Sequence, residues 1–144
     1  MPLTICAKIG DSKFSILIDT GASISILPPN LIPNHRVRPT SVSISNASGD
    51  KIKTYGEIDV EVALPSIRRS FNWTFLVADV VGPILGVDFL ARHALLVDCS
   101  TRKLIDARTN CTVPLVACKS VVPKELVTKF KVIYNVVSNN FYFD

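Results

Sequence analysis

The sequence predicts an all-β domain carrying one short helix. Short runs rich in β-branched and aromatic residues recur along the chain, each bounded by Gly, Pro, Asn or Asp. Two runs, Val42 to Ser45 and Ile58 to Val62, alternate strictly between apolar and polar residues, as half-exposed strands do. Helical spacing within the body is confined to "GVDFLARHALL", where Val87, Leu90, Ala91 and Ala94 share a face. That places the helix near residues 87–94.

The elements follow in order. Leu3 to Ile9 and Phe14 to Ile18 are strands joined by the tight turn Gly10-Asp11-Ser12. Pro28, Pro29 and Pro33 forbid a regular element between Leu27 and Asn34. A projecting hairpin is expected near 43–56, with turn residues at its tip and alternating Ile52 and Thr54 on its far arm. "FNWTFLVADV" (71–80) reads as a buried strand, and "ALLVDCSTRKLID" as two short strands about a turn. Beyond Cys118 the pattern changes: Pro123 stands where a helix begins, with Leu126, Val127 and Phe130 at helical spacing. Residues 1–116 are therefore expected to form the domain, and 117–144 a tail or linker.

Composition narrows the function classes. The 144 residues suit one domain, and 48% hydrophobic against 19% charged residues is a globular balance. The net charge of +4 is mild, and the basic residues are scattered, with Arg68-Arg69 and Arg102-Lys103 the only adjacent pairs, so no direct nucleic-acid binding is expected. The longest apolar stretch, 75–91, is cut by Asp79, Gly82, Pro83, Gly86 and Asp88, so no membrane partner is expected. "MPLTICAKIG" lacks the pattern of a signal peptide. Cys6, Cys99, Cys111 and Cys118 form no C-x-x-C pair and show no ligand spacing with His35 or His93. They read as reduced thiols of an intracellular protein, and no metal or cofactor is expected.

One carboxylate stands out. Alternation puts Ser15, Leu17 and Asp19 on one side of the second strand, and Phe14, Ile16 and Ile18 on the other. An ionised Asp at the end of so apolar a strand needs hydrogen-bond donors. The residues that follow offer them: Gly21 permits a sharp turn that exposes N–H groups, and Thr20 carries a hydroxyl able to face inward. A plain turn after a strand would look the same. An aspartyl-phosphate enzyme also places an Asp at a strand end, but it needs an α/β alternation that this chain lacks.

A second motif decides between these. "VADVVGPILGVDFL" ends in Ile84-Leu85-Gly86 just before the helix, about 65 residues after Asp19-Thr20-Gly21. Strand, Asp-Thr-Gly turn, projecting hairpin, strand, Ile-Leu-Gly and helix is the order of the retropepsins. The chain resembles the aspartic proteases of retroviruses and, more closely, those of gypsy-type LTR retrotransposons. "LIDTGASISILPP", "YGEIDVEV", "FNWTFLVADVVGPILGVDFLARHALLVD" and "RKLIDART" carry the likeness, over about residues 3–112. "PKELVTKFKVIYNV" is similar to the segment leading toward reverse transcriptase in such polyproteins, and equally to an ordinary amphipathic helix.

The resemblance implies a closed retropepsin-like barrel and a two-carboxylate mechanism. One carboxylate activates a water while the other protonates the tetrahedral oxygen, the pair sharing one proton. This chain has a single Asp-Thr-Gly. Asp59, Asp79, Asp88, Asp98 and Asp106 lack that context and read as surface, turn or helix-start residues. The expected enzyme is thus a homodimer with Asp19 from each copy meeting at a twofold axis. Thr20 is then expected to bond across the axis, Gly21 to present backbone to substrate, and Ala22 and Ser23 to continue the loop along the cleft. Gly86, after Ile84 and Leu85, closes a second loop beneath the site. Ala47, Ser48, Gly49 and Asp50 form the tip of a flap over an extended polypeptide substrate, the chain's own polyprotein, in the cytoplasm or a virus-like particle.

The chain also departs from the retroviral pattern. Ser23 stands where many retroviral enzymes have Asp, and no Arg stands at or beside Asp88. The usual ion pair supporting the dimer is therefore missing, and the 95–106 hairpin alters the end where retroviral dimers interleave terminal strands. A catalytically inactive or host-domesticated dimerisation or peptide-binding module is the competing reading.

Overall fold

A computed structural model describes residues 2–32, 36–46 and 48–117, together with the backbone of 135–137. Its centre is the expected β-barrel. Strands β1 (Leu3–Ile9) and β2 (Ser12–Ile18) form an antiparallel hairpin whose turn is tightened by Gly10, at φ +60°. After β3 (Ile26–Leu27), the chain makes one 3₁₀ turn over Pro29–Leu31, the most regular structure that its prolines allow.

Two short strands follow, β4 (Ser43–Ser45) and β5 (Lys51–Ile52), and then two long ones, β6 (Thr54–Ala63) and β7 (Ser70–Ala78). The β6–β7 pair runs antiparallel with a register shift between Thr54 and Gly56. Gly56, at φ +135°, lies so close to Arg38 that a Cβ would stand 2.3 Å from the Arg38 carbonyl oxygen. Strand β8 (Ile84–Leu85) leads into helix α1 (Val87–Arg92). The helix is two residues shorter than its sequence periodicity predicts, because Ala94 adopts a positive φ of 54° and turns the chain away.

Hydrogen bonding links the strands in the order β1-β2-β8-β3-β7-β6, and β6 returns to pair with β1 through Lys8↔Ala63 and Ile9↔Val62. Six strands thus close on themselves and leave no free barrel edge. The interior is filled by Ile5, Ala7, Ile16, Val62, Phe71 and Phe75, all buried. The alternation that aims Ile16 and Ile18 inward puts Leu17 on the opposite face, in a smaller cluster with Ala22, Ile24, Ile44 and Ile84.

After the helix, β9 (Leu95–Asp98), β10 (Lys103–Asp106) and β11 (Thr112–Pro114) build a separate antiparallel sheet, and β12 (Val116–Ala117) joins the start of β1. A strand β13 at Asn135–Val137 pairs with β4. The helix expected from Pro123 onward lies outside the described residues.

Asp106 differs from its sequence reading as a surface residue. It is fully buried, accepting 3.0 and 2.9 Å bonds from the Arg69 guanidinium and another from the Thr109 hydroxyl. Arg69 beside it holds its carboxyl far below the usual carboxylate range. Arg69 also donates to the His93 carbonyl at the end of α1, so this ion pair ties the helix to the second sheet.

His93 itself sits among Phe71, Trp73 and Phe89, with ring centroids 4.7, 5.2 and 4.6 Å away. Burial, then the nearby Arg69, Arg108 and Arg92 charges, lower its pKa to about 4 from 6.5. The unfolded chain therefore takes up this proton first as pH falls. The stability held by neutral His93 is complete above pH 6.5 and drains away as pH drops to about 4. His93→Phe should flatten that part of the stability curve, measured by urea unfolding at several pH values.

Candidate active site

Asp19 is placed by a parallel strand pair. Ile18 lies beside Leu85 in the β2–β8 register, and the Asp19 N–H continues the ladder, donating to the Leu85 carbonyl at 3.0 Å. The carboxylate leaves the strand on the Leu17 face, where Ile44, at the root of the β4–β5 hairpin, joins the smaller apolar cluster. The Gly21 N–H donates to Asp19 Oδ1 at 2.9 Å, and the Ala22 N–H donates to the Asp19 carbonyl at 3.1 Å. Burial raises the Asp19 pKa, and the Gly21 and Ala22 N–H groups partly offset the rise. The result is a half-buried carboxylate, held by its own turn, that takes up a proton more readily than a free Asp.

Gly21 does not occupy the left-handed region; its contribution is the N–H it presents. Thr20 is exposed in the single chain. Ala22 is fully buried and Ser23 half-buried, with Ala22 accepting from the Val87 N–H at 2.8 Å. The Asp19 turn is therefore joined directly to the first residue of α1.

Gly86 lies where the two loops cross. A Cβ there would stand 2.7 Å from the Ala22 oxygen and 2.8 Å from the Ile24 oxygen, both backbone atoms. Ile84 and Leu85 before it are fully buried. The Gly86 N–H donates to Ser25 Oγ at 2.9 Å, and that hydroxyl donates to Asp88 Oδ1 at 2.7 Å. Asp88 accepts two more bonds, from the Ser25 N–H at 3.1 Å and the Phe89 N–H at 2.8 Å. Burial raises the Asp88 pKa, with Ser25 and the Phe89 N–H opposing the rise. The Trp73 indole N–H also opposes the rise, although it makes no hydrogen bond of normal geometry among the described residues.

Asp88 and Ser25 are the residues that sequence reasoning missed. Asp88 is no mere helix-start residue but the clamp between the two loops. The available signal was Ser25 itself, a hydroxyl set between Ile24 and Ile26 in a run that is otherwise buried.

The hairpin tip is a small closed turn. Asn46 Oδ1 accepts from the Ser48 and Asp50 N–H groups at 3.0 and 2.9 Å, and Gly49 adopts φ +86°. Ser48, Gly49 and Asp50 are exposed, whereas Ala47 lies outside the described residues. At the base of the hairpin, the Tyr55 hydroxyl donates to Asp79 at 2.7 Å. A cavity lined by Ile9, Phe14, Leu27, Ile32 and Val60 opens near the β1–β2 turn, at the far end of β2 from Asp19. Among the described residues, no three His, Cys, Asp or Glu side chains are grouped to hold a metal ion. No helix among them is long and apolar enough to cross a membrane.

Comparison with known proteins agrees with this geometry. Residues 5–92 match the model of the family described as "gag-polyprotein putative aspartyl protease". The retroviral protease-like domain of Ddi1 from Leishmania major has a similar structure, with a TM-score of 0.66 at 20% identity, covering 84% of this chain and 98% of that one. EIAV protease, solved with the inhibitor HBY-793, gives a TM-score of 0.52 at 26% identity, covering 64% of this chain and 88% of that one. No curated protein sequence matches the chain.

Proposed function

Because this chain belongs to the gag-polyprotein aspartyl protease family and has a retropepsin fold, we propose that it is an aspartic endopeptidase working as a homodimer. The observation that carries this reading is Asp19: a half-buried carboxylate with a raised pKa, on a turn braced by a second loop, with no second Asp-Thr-Gly in the chain. In the dimer the two Asp19 carboxylates share one proton, because like charges at that distance do not both ionise. The ionised one takes a proton from water as it attacks the scissile carbonyl, and the protonated one donates to the developing oxyanion. Thr20, exposed in one chain, bonds across the axis, and Gly21 presents backbone to the substrate.

The β4–β5 hairpin is the flap. It closes Ser48, Gly49 and Asp50 over an extended peptide held by strand-like hydrogen bonds. The substrate is a polyprotein of the gypsy retrotransposon kind, cut inside the cell or a virus-like particle. Residues 1–116 form the protease domain, and 117–144 are a tail or linker, of which 135–137 pairs back on β4.

The two-chain site makes activity depend on concentration. Specific activity should fall as enzyme is diluted through the dimer dissociation constant and recover on reconcentration. Activity per chain that stays constant down to the detection limit, from a species sedimenting as a monomer, would contradict the proposal.

A further inference from the structure

One strand pairing belongs neither to the barrel nor to the second sheet. Strand β13 lies antiparallel on β4, with Asn135 opposite Ser45, Val136 opposite Ile44 and Val137 opposite Ser43. The order β13-β4-β5 puts β4 in the middle. One of its edges is taken by its own hairpin partner, the other by a segment from beyond the barrel.

Which main-chain groups each neighbour uses follows from the hairpin tip. The Asn46 N–H donates to the Asp50 carbonyl at 2.9 Å, so Asn46 faces β5, and alternation turns Ile44 the same way. Ser43 and Ser45 therefore direct their N–H and C=O groups to the outer edge. There Ser45 exchanges main-chain bonds with Asn135, and Ser43 with Val137, while Val136 turns its own groups away from β4.

That outer edge is the one an extended peptide needs. Ile44 anchors β4 in the buried cluster with Leu17 and Ala22, on the face of β2 from which the Asp19 carboxylate emerges. A peptide lying between the hairpin and the Asp19 turn gains main-chain bonds from the hairpin by adding a strand to one of its edges. The opposite edge, on β5, is two residues long, is guarded by Lys51 and runs on toward β6.

We propose that residues 135–137 are a built-in competitor of the substrate, a strap that holds the outer edge of β4 and must leave before an extended peptide pairs there. This rests on reading the β4–β5 hairpin as the flap of an aspartic protease. A strand tethered to the same chain acts at an effective concentration in about the millimolar range, so a short pairing competes with a free peptide of higher intrinsic affinity. Asp19, its Gly21 donor and the Ser25–Asp88 clamp lie on other elements. Release of the strap therefore alters how well substrate binds and not how fast bound substrate is cut.

The test uses the full chain. Asn135→Pro together with Val137→Pro removes both N–H groups that face β4, whereas Val136→Pro removes one that faces away. The double variant should cleave a fluorogenic peptide with KM lowered at least about threefold and kcat unchanged, and Val136→Pro should match the parent. Hydrogen exchange at the Ser43 and Ser45 amides should be slow in the parent and fast in the double variant. A synthetic peptide of residues 131–140 should then inhibit the double variant by raising KM alone. An active double variant with parental KM or parental amide protection, or an equal gain from Val136→Pro, overturns the strap and leaves the protease reading standing. No cleavage by the parent or any variant from about pH 3 to 7 overturns both.

Discussion

Asp19→Asn should leave the chain folded and able to dimerise while lowering peptide hydrolysis at least about 10³-fold. The substitution is nearly isosteric, and the new amide oxygen still accepts from the Gly21 N–H that Asp19 Oδ1 engages at 2.9 Å. What disappears is the capacity to share and move a proton, which is the whole of this residue's proposed chemistry. Stability should respond in the opposite sense. A carboxyl whose pKa is raised on folding contributes stability that is complete below its unfolded value of 3.8 and is lost as pH rises through its folded one. At neutral pH, ionised Asp19 is a cost to the fold, so the Asn variant should melt no lower than the parent. Assays on a fluorogenic peptide from about pH 3 to 7, beside thermal melts, check both halves. An Asn variant that cleaves like its parent refutes the role given to Asp19.

Gly86→Ala should damage both the fold and the active site. The added Cβ meets two backbone oxygens, at 2.7 and 2.8 Å, and neither belongs to a flexible side chain that might swing aside. Overpacking of this kind costs about 3 kcal/mol. The residue before α1 or the Ala22–Ile24 segment must give way, and the latter carries the Asp19 turn. A displacement near 1 Å at a reacting group lowers rates by about 10²-fold. Loss of activity should therefore exceed what the unfolded fraction explains, when urea titration and peptide cleavage are compared on one preparation. An Ala variant with parental stability would show that the loops are not pressed together as described.

Much of this site is legible in the sequence because it is built from a residue type at a strand end. Asp19, Gly21 and Gly86 announce themselves by type and order: a charge after an apolar run, then glycines where chains must turn or touch. The clamp that holds them does not. Asp88 looks like an ordinary acidic residue in a first helical turn, and Ser25 looks like the polar half of an alternating strand. Only the packing of β3 against β8, antiparallel at Ile26↔Ile84, brings the two together.

The same holds for Arg69 and Asp106, which are 37 positions apart and become partners only because the second sheet folds against the end of α1. Strands β9 and β10 were readable from "ALLVDCSTRKLID", whereas β11 and β12 were not. Pro114 interrupts the pattern of β11, which pairs with nearby β10, and β12 pairs with β1 at the other end of the sequence. Local pattern thus reveals the reacting groups, and long-range contact reveals what braces them.

The central claim is that one site is made by two chains, and titration with a tight-binding peptide mimic tests it most directly. The mimic carries a statine-type hydroxyl in place of the scissile carbonyl, so that it resembles the tetrahedral intermediate between two carboxyls. Calorimetry should saturate at one mimic per two chains, with binding lost in Asp19→Asn. Saturation at one per chain, or binding that ignores the substitution, would contradict a site shared across a twofold axis.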